Sequence, residues 1–278
     1  MNPLVTASWL SEHLGDSHFI ILDATLPPVG VTPPVDTYAR YRASHIPGAV
    51  FFDIDALSDH STPLPHMLPT AETFSRDMSV LGVGDQMSIV IYEQEGVFSA
   101  PRAWWMLRVF GAERVYILNG GLKAWIEAGY STESAPVKRE PAVFHAELSR
   151  DAVKDFSEIQ KIIADRGQIL DARSSGRFSG SAPEPRPGIK SGHMPGALNV
   201  PFIELVRDGS LKSASELREY FLSKGIDLSQ PITTTCGSGV TAAVIALGLE
   251  IVEAQQVSLY DGSWAEYAQH PDAVIEAS

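Results

Sequence analysis

Ile232-Thr233-Thr234-Thr235-Cys236-Gly237-Ser238-Gly239-Val240-Thr241 runs directly into Ala242-Ala243-Val244-Ile245-Ala246-Leu247-Gly248-Leu249: a β-branched run, a small-residue loop and an apolar segment in succession. β-Branched side chains crowd a helix but pack well on a pleated surface, so residues 232–235 read as a strand. Gly237 and Gly239 break that pattern, and the stretch 240–251 then has the apolar spacing of a helix. No charged residue occurs from Leu228 to Leu249. Pro231, the glycines and the many hydroxyl side chains argue against a membrane-spanning helix. A strand and helix this apolar are both buried, which points to an α/β protein with a mainly parallel sheet covered by helices on both faces.

The same alternation extends outward in both directions. Residues 19–22, 88–92, 115–118, 168–170 and 257–260 are further short β-rich runs, and 101–109, 121–128 and 215–224 have helical spacing. The chain also echoes itself. Leu22-Asp23-Ala24 returns as Leu170-Asp171-Ala172, and His45-Ile46-Pro47-Gly48-Ala49 as His193-Met194-Pro195-Gly196-Ala197, both at one offset. Glu93-Gln94-Glu95-Gly96-Val97 lies against Cys236-Gly237-Ser238-Gly239-Val240, and Leu118-Asn119-Gly120 against Tyr260-Asp261-Gly262. Four blocks in preserved order mean a duplicated domain. The stretch 130–150, with Pro136, Pro141 and mixed charges, is the natural connection. The expected division is a first domain at 1–138, a linker at 139–150 and a second domain at 151–278.

Composition narrows the function. The 278 residues are 44% apolar and 20% charged, with 21 basic against 34 acidic side chains and a net charge of −13. Such a chain offers no field for phosphate backbones or anionic lipid, so neither nucleic acid nor a membrane is expected as partner. Residues 1–15 lack a basic cluster followed by an apolar core, so no secretory signal is read and a cytoplasmic address is expected. A single cysteine excludes an intrachain disulfide and a multi-cysteine metal site. His13, His18, His60, His145 and His270 show no ligand spacing, so no metal site or cofactor is expected.

Cys236 is placed at the C-terminal end of a strand and above a helix N-terminus, where open α/β sheets bind ligands and where unsatisfied N–H groups favour an anion. A thiolate is such an anion, and Gly237 and Gly239 let the loop amides curl toward it. The bland alternative is a small buried thiol that merely packs. A Gly-Ser-Gly cradle at a strand-to-helix turn is costly to build around filler, so Cys236 is read as a nucleophile. Glu93 holds the equivalent position in the first half, which has the scaffold without the nucleophile. A cysteine phosphatase would need an arginine where Ala242 stands, and a less neutral loop.

The Cys-Gly-Ser-Gly-Val-Thr-Ala loop in the second of two repeated domains, with His-x-Pro-Gly-Ala in each, resembles the two-domain rhodanese family of sulfurtransferases, and the loop is similar to that of its 3-mercaptopyruvate branch. The likeness extends to Ala100-Pro101-Arg102-Ala103-Trp104-Trp105-Met106, Leu118-Asn119-Gly120-Gly121 and Tyr260-Asp261-Gly262-Ser263-Trp264. It implies tandem rhodanese-like domains and a persulfide mechanism, with sulfur taken by Cys236 from 3-mercaptopyruvate and passed to a thiol, a thioredoxin-like protein or cyanide. Thiosulfate-using members carry basic residues after the cysteine, which suits a dianion; here stand Gly237 and Ser238. The resemblance assigns the substrate's carboxylate and keto oxygens to Arg177 of Gly176-Arg177-Phe178 and Arg186 of Glu184-Pro185-Arg186, whose planar forks suit a carboxylate. Without it, this is a solvated basic loop. Arg173 is expected in a structural ion pair instead.

The family also implies a Ser/His/Asp relay of Ser238, His66 and Asp55, with the acid and histidine supplied by the first domain and the site between domains. Ser238 would otherwise bond its own backbone. Gly237, Gly239, Val240 and Thr241 are expected to hold the sulfur-bound intermediate through their amides. His45 and His193 occur once per domain, while only one domain has a cysteine, so both read as scaffold. Trp104, Trp105 and Trp125 read as core. Two other readings stay open: a thiosulfate sulfurtransferase, and a sulfur-carrier or regulatory module without turnover.

Overall fold

A computed structural model of the chain describes residues 2–31 and 33–277. The chain forms two compact units. The first runs to Asp59 and takes in Leu68–Ser149 and Asp208–Leu211, while the second takes in His60–Met67, Arg150–Arg207 and the chain from Lys212 onward. The segment expected as a linker lies along the first unit: Ala142 N–H donates to the Ser79 carbonyl at 3.1 Å, and Ser149 N–H to that of Val109 at 2.8 Å.

The first unit holds five parallel strands, β1 (Leu4–Val5), β2 (Phe19–Asp23), β3 (Val50–Phe51), β4 (Ser88–Tyr92) and β5 (Val115–Leu118), in the order β1-β5-β4-β2-β3. The second sheet comprises β6 (Val153–Lys154), β7 (Gln168–Asp171), β8 (Leu198–Asn199), β11 (Ile232–Thr235) and β12 (Val257–Tyr260), ordered β6-β12-β11-β7-β8 and again parallel throughout. Two short strands, β9 (Val206–Arg207) and β10 (Ser210–Leu211), lie outside these sheets. The two orders are the same permutation, so the duplication read from four sequence blocks is also a duplication of topology.

Helices flank each sheet. Ala242–Ile251 follows β11 and is buried from Ala242 to Leu249, which is why that segment carries no polar face. Its counterpart after β4, Ala100–Val109, buries Trp104 and Trp105, and Trp125 is buried in the first core. Phe156–Ala164 and Ala214–Ser223 each start in a capping box, Asp155 with Glu158 and Ser213 with Glu216, which satisfies N–H groups left over at the helix start.

The repeated histidines serve the scaffold in the same way twice. His45 pairs with Glu133, and His193 with Glu276, in an isolated antiparallel bridge. Their Nδ1 atoms lie 2.7 Å from the Tyr41 carbonyl and 2.9 Å from that of Phe178. Gly48 and Gly196, at φ 78° and 73°, take the left-handed turn that each His-x-Pro-Gly-Ala motif requires.

Candidate active site

β11 is the middle strand of its sheet and pairs with β7 so that Thr235 stands opposite Asp171. The segments that leave these two strands therefore start side by side on the carboxyl edge. One carries Cys236 and the other Arg173, Arg177, Glu184 and Arg186.

Cys236 is buried at 2% exposure. Its carbonyl accepts from the Trp264 amide at 2.9 Å, and the Gly237 carbonyl from that of Ala265 at 3.0 Å. In a trans peptide the C=O and the following N–H point in opposite directions. With both carbonyls drawn toward the helix Ser263–Tyr267, the amides of Gly237 and Ser238 are turned to the other side of the loop. Gly239, at φ 80°, makes the left-handed step that closes the loop before Val240 and Thr241 lead into the next helix. That helix has no side-chain cap and no acid in its first turn, so its positive end has no charged side chain of its own to answer it.

The first unit shows what this loop geometry can hold. The Leu122 amide donates to the Glu93 carbonyl at 2.9 Å, in the place of the Trp264 bond to Cys236. The Glu93 carboxylate then turns onto the start of the helix Ala100–Val109. It accepts from the Phe98 amide, from the Ser99 amide at 2.7 Å and from Ser99 Oγ at 2.5 Å. An anion at this position is thus gathered in by loop and helix amides, although burial pushes the Glu93 carboxyl up to about 7.

The second unit brings the arginines to the cysteine loop. A Cβ placed on Gly237 would lie 2.9 Å from Arg177 Nη2 and 3.7 Å from Arg186 Nη1, so both guanidinium groups occupy the space where residue 237 has no side chain. Arg186 Nη2 donates to Ser238 Oγ at 3.3 Å, and His66 Nδ1 lies 2.9 Å from the same oxygen. With Arg186 as donor, the hydroxyl proton can point at an unprotonated Nδ1. Although His66 precedes the expected domain boundary, it belongs to the compact unit that holds Cys236. Asp55 lies in the first unit, in the exposed turn after β3, where its carbonyl accepts from the Ser58 amide at 3.1 Å.

Arg173 forms the expected buried ion pair, 2.5 Å from Asp171, with its guanidinium 4.1 Å from the Trp264 ring centroid. Burial opposes its charge, but the Asp171 and Glu184 carboxylates outweigh that and hold its pKa above the ordinary arginine value. Two contributors escaped the sequence reading. Glu184 links Arg173 to Arg177, and the Trp264 and Ala265 amides pin the cysteine loop. The Glu-Pro-Arg run and the echoed Ser-Trp were visible, but neither spacing discloses a partner.

Among the described residues, no helix is long and apolar enough to cross a membrane. No group of three or more His, Cys, Asp or Glu among them could hold a metal ion.

The family model described as Rhodanese-like domain matches the chain twice, at residues 6–128 and 155–270. The 3-mercaptopyruvate sulfurtransferase of Escherichia coli strain K12 is 45% identical over 273 residues, covering 98% of this chain and 97% of the relative. That of Homo sapiens is 42% identical over 284 residues, covering 98% and 94%. Among solved structures, SseA from Escherichia coli, described as a 3-mercaptopyruvate sulfotransferase with the "rhodanese" fold, superposes with a TM-score of 0.88 at 43% identity, covering 95% of this chain and 99% of that one.

Proposed function

The chain belongs to the rhodanese family, and from that premise we propose that it is a 3-mercaptopyruvate sulfurtransferase working through a persulfide on Cys236. One observation carries the site assignment: two guanidinium groups stand over Gly237, next to the only cysteine, at the carboxyl edge of the sheet. Two planar cations suit a donor that carries a carboxylate and a keto oxygen beside its sulfur.

In this reading the Cys236 thiolate attacks the donor sulfur, forming an S–S bond as the bond from sulfur to carbon breaks. The bonding pair moves to carbon and gives the enolate of pyruvate, whose oxygens Arg177 and Arg186 hold. The amides of Gly237, Ser238, Gly239, Val240 and Thr241 surround the sulfur-bound intermediate. The donor's thiol proton passes by way of Ser238 and His66 to the enolate carbon, so pyruvate leaves and one sulfur stays on Cys236. The family resemblance names Asp55 as the acid of this relay.

A thiol, a thioredoxin-like protein or cyanide then takes the outer sulfur and restores the thiolate. We place this cycle in the cytoplasm, because the lone thiol must stay reduced between turnovers. No metal or organic cofactor enters any step. Presenting 3-mercaptopyruvate and thiosulfate in parallel, with pyruvate assayed and the intact protein weighed for one added sulfur, tests the proposal. Pyruvate release with a one-sulfur gain on Cys236 is the expected result. A gain from thiosulfate alone would transfer the enzyme to that donor, and a gain without turnover would make it a carrier.

A further inference from the structure

Glu184 is almost fully enclosed, with 3% of its side chain exposed, and it answers two arginines at once. Its Oε1 accepts from Arg173 Nη1 at 2.8 Å. Its Oε2 accepts from Arg177 Nε at 3.1 Å and Nη2 at 2.5 Å. Behind it, Arg173 is locked by Asp171, by the Gly192 carbonyl at 2.7 Å and by the Trp264 ring. Asp171 closes β7, and the Trp264 amide holds the Cys236 carbonyl. A chain of alternating charges thus runs from the sheet to Arg177 and is tied to the cysteine loop at its base.

This chain has two consequences for the donor. Arg177 spends Nε and one Nη2 hydrogen on Glu184, while its Nη1 donates to none of the described residues. The edge formed by Nη1 and the second Nη2 hydrogen is the one left to grip a carboxylate, and its direction is set by Glu184. The charges of Asp171, Arg173, Glu184 and Arg177 also cancel, so the group together with Arg186 presents one net positive charge. That matches a donor with a single carboxylate and undercompensates a dianion such as thiosulfate.

We propose that Glu184 is a positioning residue that aims Arg177 at the donor carboxylate and sets the site's preference for a monoanionic over a dianionic sulfur donor. The role presupposes the sulfurtransferase activity proposed above. The charge-neutral near-isostere tests it. In Glu184→Gln, KM for 3-mercaptopyruvate should rise about tenfold, the order expected for one lost charge-assisted hydrogen bond, with kcat changed far less. The ratio of kcat/KM for thiosulfate to that for mercaptopyruvate should rise by about as much, since the site gains a net positive charge.

Glu184→Asp keeps the charge but cannot reach both arginines, so it should raise KM while leaving the donor ratio near that of the parent. In an Arg177→Ala background, Glu184→Gln should cause no further rise in KM, because the group it positions is gone. An unchanged KM, a loss confined to kcat, or an equal added KM loss without Arg177 would each overturn the proposal. Should Glu184→Gln not fold, Glu184→Asp decides: raised KM at the parent donor ratio supports the role, and parent KM overturns it. Absence of pyruvate release by the unsubstituted enzyme would instead overturn the donor assignment itself, so the two failures are distinguishable.

Discussion

Cys236→Ser exchanges one sulfur for one oxygen at the buried end of β11 and leaves the loop's backbone bonds to Trp264 and Ala265 in place. It should fold like the parent yet release no pyruvate and take up no sulfur; retained pyruvate release would remove Cys236 as nucleophile. Arg186→Ala takes away a guanidinium that reaches both Ser238 and the space over Gly237. KM for 3-mercaptopyruvate should rise about tenfold to a hundredfold, as for other charge-assisted bonds, and an unchanged KM would place the carboxylate elsewhere. At this scale the candidate site was legible because its chemistry is rare: one cysteine, and arginines clustered in an acidic chain. Glu184 was not, since an acid between two prolines has no periodicity and its partner Arg173 lies on an earlier turn. Glu93 was read only as a missing nucleophile, because sequence does not disclose that its carboxylate folds back onto the amides of Phe98 and Ser99.

The strand, loop and helix from Ile232 to Ile251 act as one device, and the arginines approach it most closely at Gly237. The atoms a side chain would meet there are the far ends of two arginines, which can swing aside. Gly237→Ala should therefore keep the fold and melt within a few degrees of the parent, but raise KM for mercaptopyruvate severalfold by displacing Arg177. Replacing Gly237 and Ser238 by Arg and Lys adds two cations and removes the hydroxyl beside His66. Donor preference should then move toward thiosulfate, and no movement would show that loop charge does not select the donor. The central strands β2, β4, β5, β7, β11 and β12 were readable because each is a run of four or five residues, mostly apolar or β-branched, long enough to stand out. The edge strands β1, β3, β6 and β8 contribute two residues apiece, too few for any periodicity, and exist because a longer neighbour offers its edge. The helix Phe156–Ala164 had a legible start in Asp155 and Glu158, a signal the apolar-spacing argument did not use.

Across the whole molecule, one topology is used twice with a different side chain at the turn between strand and helix: Cys236 after β11 in one unit and Glu93 after β4 in the other. That difference gives the first unit a pH dependence of its own. Burial raises Glu93 from an ordinary 4.5 to about 7, against hydrogen bonds from Ser99, Phe98 and Ala100 that favour ionisation. Between those values the folded unit holds a proton that the unfolded chain has released. The stabilisation is therefore fully present below about 4.5 and is lost as pH rises toward about 7. Asp23, buried at the end of β2 and also raised by burial, titrates in the same direction. Glu93→Gln should thus reduce the slope of stability against pH without abolishing it. Its amide can accept from only one side, so some stability is lost at every pH, and the slope is the quantity to compare. Hydrogen exchange of the β4 amides, corrected for intrinsic rate, reports the first unit alone. Protection in the parent should fall from pH 5 to 8 more steeply than in Glu93→Gln, and equal slopes would move the whole effect from Glu93 to Asp23.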